Sequence, residues 1–196
     1  MKNNNHNLNS HNNHFNSDKT NDKHQPNIHL LTGEGAGKTT SALGVALRAV
    51  GHNQKVVIVQ FMKGRKEIGE YKIRKKLAPY YEIYQFGRKE FIDLKNPSEK
   101  DKELAKKGLE FAKKIIKTKP TPKLLILDEI NLACAIGLLD INEVLKFLED
   151  AKKKSITVYL TGRYAHEKLK KVADFVNEIK LVKAPEKYPN IKGITY

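Results

Sequence analysis

Residues 30–40 read Leu30-Leu31-Thr32-Gly33-Glu34-Gly35-Ala36-Gly37-Lys38-Thr39-Thr40. A short apolar run leads into three glycines spaced by two. A Lys and two Thr follow at once, and a helical pattern begins there. These residue types suit an anion-binding loop. Glycines let successive backbone N–H groups turn inward without Cβ clashes. A helix that starts at the end of the loop aims its free N–H groups and the positive end of its dipole at the same anion. Lys38 adds a mobile cation and Thr39 a hydroxyl suited to Mg²⁺. The strict phosphate-loop pattern is G-x-x-x-x-G-K-[ST]. Counting back five from Gly37 gives Thr32, so this is a variant loop with Gly33 and Gly35 one and three positions later. The strand before it and the helix after it are the context the motif requires.

A phosphate loop calls for a carboxylate to hold Mg²⁺ or its waters. The run Leu124-Leu125-Ile126-Leu127-Asp128-Glu129 supplies two at the end of an apolar strand, the Walker B arrangement. Asp128 is the better Mg²⁺ candidate, and Glu129 is placed to orient metal-bound water or the substrate. Two further strand ends carry polar groups, at Gln60 and Lys63 and at Thr161-Gly162-Arg163. Ligands of open α/β sheets sit outside the carboxyl ends of the strands, so Gln60, Lys63 and Arg163 converge on one edge. Arg163 stands out as one of only five Arg.

Short apolar runs at residues 28–31, 56–61, 81–86, 124–127, 156–160 and 179–182 read as strands. The continuous apolar stretches at 56–59 and 124–127 suit a parallel sheet covered on both faces. Helical patterns lie between them at 39–50, 98–117, 142–153 and 166–173. Asn96 is the expected cap of the second, with Pro97 at its first turn and Glu99 three residues after the cap. Asp140 caps the third, with Glu143 at capping-box spacing. The alternation predicts an α/β fold: a P-loop NTPase-like open, mainly parallel sheet of about six strands flanked by helices.

The chain has 196 residues, 39% of them hydrophobic, which is one domain's worth. Residues 1–27 stand apart, with ten Asn and four His (His6, His11, His14 and His24), and they read as a disordered tail. The domain proper runs over 28–196. A single cysteine, Cys134, excludes an internal disulfide and a Cys₄ zinc site. No apolar run is long enough to span a membrane, and the start has no signal-peptide core. A reduced, cytoplasmic location is the expectation. The net charge of +15 comes from 37 Lys and Arg against 22 Asp and Glu. It invites a nucleic-acid reading. However, 32 of the 37 are Lys, and they spread out, many of them through 63–76, 100–119, 152–154 and 168–171 among Glu and Asp. Base recognition prefers Arg, so the charge reads as a solvated surface, with no nucleic-acid partner expected.

The ordered motifs resemble those of the ATP:corrinoid adenosyltransferases of the CobA/BtuR type. The similarity runs through Thr32-Gly33-x-Gly35-x-Gly37-Lys38-Thr39-Thr40, Arg48-Ala49-Val50-Gly51, Val59-Gln60-Phe61-Met62-Lys63-Gly64, Gly69-Glu70, Leu127-Asp128-Glu129-Ile130 and Thr161-Gly162-Arg163. It ends at Val182-Lys183 and Lys192-Gly193-Ile194-x-Tyr196. The resemblance implies transfer of the 5′-deoxyadenosyl group of ATP to the Co(I) centre of a reduced corrinoid, with release of triphosphate. It implies ATP, Mg²⁺ and corrinoid (cobalamin) at the site, a homodimer, and a reducing flavoprotein as partner. Carried over residue by residue, Gly33, Gly35, Ala36, Gly37, Lys38, Thr39 and Thr40 contact phosphate. Thr39, Asp128 and Glu129 lie on the metal side. Arg48, Gln60 and Arg163 contact nucleotide or corrinoid, and Lys38, Glu129 and Arg163 act in catalysis. The family's Phe and Trp beside the corrinoid's lower face have no full counterpart. The chain lacks Trp, and Phe86-Gly87-Arg88-Lys89-Glu90-Phe91 offers Phe86 and Phe91. The rival reading is a P-loop kinase or ATPase. The lone cysteine opposes the zinc-bearing thymidine-kinase type, and five Arg are few for a lidded small-molecule kinase.

Overall fold

Val56–Phe61 forms β2, and every one of its residues is buried. Leu124–Asp128 forms β4 with the same uniform burial. Strands without an exposed face belong in the middle of a sheet covered on both sides, and both lie there. The computed structural model describes residues 25–90, 92–187 and 189–194. With β1 (Ile28–Thr32), β3 (Tyr81–Phe86), β5 (Thr157–Thr161) and β6 (Phe175–Glu178), they form a six-stranded sheet of order β3-β2-β4-β5-β1-β6. All pairings are parallel. The expected α/β architecture and strand number therefore hold.

The helices divide between the faces. α1 (Lys38–Gly51), α2 (Gly69–Lys72) and α3 (Arg74–Leu77) cover one side, where Ala42 and Ala46 pack on Val56, Ile58, Leu124 and Ile126. α4 (Glu99–Ile115), α5 (Ile130–Ala135), α6 (Ile141–Lys153) and α7 (Glu167–Val172) cover the other. There Leu109, Ile130, Phe147, Leu148 and Leu169 join Val57, Val59, Leu125 and Leu127. Alternate residues of one strand thus feed two separate cores, as the two-residue period of a strand requires.

Two local expectations need correction. The sixth strand is Phe175–Glu178, not 179–182. Its four residues are exposed edge sequence that pairs with His29–Thr32 of β1, while Ile179 only closes the ladder through its N–H to Thr32 O (2.8 Å). The cap of α4 is Ser98, not Asn96. Ser98 and Asp101 form the reciprocal capping box, and the Arg88 guanidinium holds Asp101 in place by a bidentate pair (2.8 and 2.9 Å). Asp140 caps α6 as expected, accepting from the Asn142 N–H (2.6 Å). The tail reading falls mostly on residues 1–24, outside the described residues, as do Phe91 and Tyr196.

Candidate active site

β1 delivers the chain into the loop, and Gly37 starts α1 in the left-handed region (φ 107°) without a side-chain cap. The first-turn N–H groups of a 14-residue helix therefore face the loop's interior, ready for an anion. Lys38 is only 8% exposed. Its ammonium folds back to donate to Gly33 O (2.7 Å) and Gly35 O (2.6 Å). Burial lowers its pKa, and the nearby Arg163 charge adds to that. Gly33 and Gly35 are glycines for a reason the sequence does not announce. A Cβ on Gly33 would meet Ile179 O at 2.5 Å, and one on Gly35 would meet Ile179 Cγ2 at 2.7 Å. The backbone after β6 buttresses the loop, and Gly35 N–H donates to Ile179 O (2.8 Å).

Asp128 ends β4, fully buried. Four donors converge on its carboxylate. Thr39 Oγ1 (2.8 Å) and Thr161 Oγ1 (2.7 Å) donate to Oδ1, while Gln60 Nε2 (3.0 Å) and Lys63 Nζ (2.7 Å) donate to Oδ2. Burial alone would raise its pKa; the Lys63 charge and these hydrogen bonds outweigh that and hold it low. Glu129 follows in a left-handed conformation (φ 65°), which turns it out of the strand, and its N–H donates to Thr161 Oγ1 (3.0 Å). Burial, then the Asp128 charge, pushes the Glu129 carboxyl above its ordinary range.

Above these strand ends opens a cleft of about 460 Å³. Loop residues 35–40 form its floor, Lys63, Glu129 and Arg163 its polar rim, and Met62, Ile92, Leu94 and Leu132 an apolar wall. Arg163 lies 3.4 Å from Glu34, across the loop. A second hollow of about 520 Å³ shares Thr39, Thr40 and Lys63 and runs along α1 past Leu43 and Leu47 toward Ile73 and Leu77.

The structure thus gathers Gly35, Ala36, Gly37, Lys38, Thr39, Thr40, Glu129 and Arg163 around one cleft, with Gly33 behind the loop and Asp128 beneath it. It does not bring Arg48 or Gln60 to that cleft. Arg48 is exposed in the last turn of α1, ten residues and so about 15 Å of helix beyond Lys38. Gln60 is fully buried: its amide N–H bonds Asp128, and its carbonyl accepts from Gln85 Nε2 (3.0 Å). Phe86 packs on Phe111 (centroids 5.4 Å) and lines a separate groove with α4; the cleft wall uses Ile92 and Leu94 instead. Sequence reasoning gives Thr161 no role of its own, although a polar residue ending the run Val158-Tyr159-Leu160 is the same signal that marks Asp128. Asn131 escapes it too. That side chain is fully buried and ties β1 to the loop after β5 by donating to Leu31 O and Gly162 O.

The family model for ATP:corrinoid adenosyltransferases BtuR/CobO/CobP matches residues 24–196. The chain belongs to that family. The corrinoid adenosyltransferase of Sinorhizobium sp. is 36% identical to this adenosyltransferase over 159 residues, 81% of this chain and 73% of that one. Those of Escherichia coli K12 and Salmonella typhimurium LT2 are each 35% identical over 156 residues, 80% of this chain and 77% of theirs. Among solved structures, the KaiC-like protein PH0186 of Pyrococcus horikoshii (TM-score 0.53, 17% identity, 79% of this chain and 71% of that one) shares the adenosyltransferase's fold. So does FlaH of Methanocaldococcus jannaschii (TM-score 0.52, 14% identity, 78% and 70%). The protein is an enzyme that transfers an adenosyl group to a corrinoid. Among the described residues, no helix is long and apolar enough to cross a membrane.

Proposed function

We propose that the enzyme joins the 5′-deoxyadenosyl group of ATP to the Co(I) centre of a reduced corrinoid and releases triphosphate. The observation that carries this is the cleft itself, with cationic and N–H donors on its floor and an apolar wall of Met62, Ile92, Leu94 and Leu132 facing them. That combination suits a polyanion at one end and a large, largely apolar reactant at the other. In the reaction the cobalt lone pair attacks C5′, the C5′–O5′ bond breaks, and triphosphate leaves with the bonding pair while cobalt becomes formally Co(III). No proton moves, so no general base is needed. What the protein must supply is alignment and stabilisation of the leaving charge.

Lys38, the loop N–H groups of Ala36, Gly37, Thr39 and Thr40, and Arg163 serve the leaving triphosphate, while the Gly35 N–H stays bonded to Ile179 O. Mg²⁺ would be held by Thr39 and Asp128 with Glu129 alongside, and it would neutralise phosphate charge. The fit is chemical. These are hard oxygen donors, and Thr39 Oγ1 already lies 2.8 Å from Asp128 Oδ1. Among the described residues there is no cluster of three or more His, Cys, Asp or Glu that could hold a metal. Dimerisation, a flavoprotein that supplies the Co(I) state and a cytoplasmic location complete the reading. The test is an anaerobic spectroscopic assay with Co(I) cobalamin and Mg·ATP. We expect formation of the cobalt–carbon product with stoichiometric triphosphate; phosphate or diphosphate as the product would overturn the reading.

A further inference from the structure

Lys63 lies just beyond β2, where Met62 adopts a left-handed conformation (φ 57°). That conformation is unfavourable for a side chain of this size and is kept only where surrounding contacts hold it. The turn directs Lys63 back over the strand ends. Its Nζ lies 2.7 Å from Asp128 Oδ2 and 3.3 Å from Thr39 Oγ1. These are the two groups assigned above to the divalent cation, so the inference rests on that assignment. The ammonium neutralises Asp128, which is fully buried; a buried carboxylate without a counter-charge is strongly disfavoured. A divalent cation seated on the same oxygens would meet a like charge at contact distance in a poorly screened site. The two cations exclude each other.

We propose that Lys63 holds the place of the divalent cation in the nucleotide-free protein, and that metal and triphosphate enter together as Lys63 passes from Asp128 to the phosphates. Lys63 also lines both hollows that meet at Thr39 and Thr40, so its ammonium needs only a side-chain rotation to leave the carboxylate for the cleft. The exchange keeps Asp128 neutralised at every stage, and it makes the empty site a poor trap for free metal.

The test uses Mn²⁺ as the probe, with free Mn²⁺ counted by electron paramagnetic resonance, on the full chain without corrinoid. In the absence of nucleotide, Lys63→Met should bind Mn²⁺ roughly tenfold or more tightly than the wild type, because a like charge has been removed. Lys63→Arg, which keeps the charge, should stay weak. Adding Asp128→Asn to Lys63→Met should abolish the gain. Lys63→Gln serves the same purpose if the Met variant folds poorly, with near-ultraviolet circular dichroism as the check. Protein-bound Mn²⁺ with ATP, measured on protein separated from free Mn·ATP, but no gain in Lys63→Met or Lys63→Gln overturns the exchange alone. No uptake by any of these proteins, even with ATP, overturns the metal assignment and the exchange with it.

Discussion

At the scale of single residues, the site turns on Asp128 and the four donors around it. An Asn there must point an NH₂ at one pair of donors, either the two Thr hydroxyls or Gln60 and Lys63. The hydroxyls can rotate, whereas Lys63 cannot become an acceptor, so the amide oxygen is expected to face Lys63 and the amide N–H groups the hydroxyls. The negative charge is still lost. Asp128→Asn should therefore lower stability by about 1–3 kcal/mol, read from the urea midpoint, and reduce adenosyl transfer by about 10–100-fold. An unchanged midpoint would contradict the network. Lys38, Thr39 and Asp128 are legible in the sequence because spacing along the chain defines them. The part played by Gln60 is not, because it arises from register: Gln60 pairs across β2 and β4 with Asp128, a relation that exists only once the strands are side by side.

At the scale of elements, the loop and α1 contain two glycines of opposite character. Gly35 abuts the Ile179 backbone, so an alanine there must displace main chain. Gly44 lies within α1, and among the described residues no atom beyond its own stretch of helix comes within 4 Å of its would-be Cβ. Gly35→Ala should cost about 1–3 kcal/mol and weaken ATP binding. Gly44→Ala should stabilise by up to about 1 kcal/mol, since glycine is a poor helix former. Thermal unfolding of both variants checks the contrast, and a stabilised Gly35→Ala would count against the loop's packing on Ile179. The start of α4 offers a pH test. Arg88 and the Ser98 bonds hold Asp101 at a pKa of about 2, below the usual 3.8. A depressed carboxyl stabilises the fold above its unfolded pKa and ceases to as pH falls toward the folded value. Wild type should exceed Asp101→Asn by about 1–2 kcal/mol near pH 6, the partial exposure of Arg88 trimming the gain, and the gap should shrink between about pH 4 and pH 2 and close only below about pH 2. This element also shows why caps are hard to place in sequence. Asn96 and Ser98 are both good cap residues, and the choice falls to Ser98 because Asp101, three positions on, completes the box while Arg88 from the preceding loop fixes Asp101. The misplacement of β6 has a similar cause. Residues 179–182 are more apolar than Phe175–Glu178, but the ladder with β1 is set by backbone register on an exposed edge, where apolar content decides little.

At the scale of the whole molecule, the question is what a charge of +15 does. The tail's three Lys against two Asp leave all but one unit in the domain. There the lysines alternate with acids along helix surfaces: Lys102 with Glu99 (2.6 Å), Lys113 with Glu110 (2.7 Å) and Lys170 with Glu167 (2.7 Å). Such exposed pairs add little stability, but they break the surface potential into patches of mixed sign. A duplex needs a continuous run of cations at phosphate spacing to release counterions together, and Arg to read base edges. Among the described residues, the cations that line the cleft are Lys38, Lys63 and Arg163, and that grouping fits a triphosphate better than a helix of DNA. The enzyme should therefore leave random duplex DNA unshifted at about 0.15 M salt, and binding at low salt should fade with a shallow dependence of log K on log salt. A slope steeper than about −6, the signature of six or more phosphates engaged at once, would show that the scattered lysines act as one face. By the same logic, neutralising surface lysines of α4 should leave ATP affinity unchanged, while Arg163→Ala should weaken it.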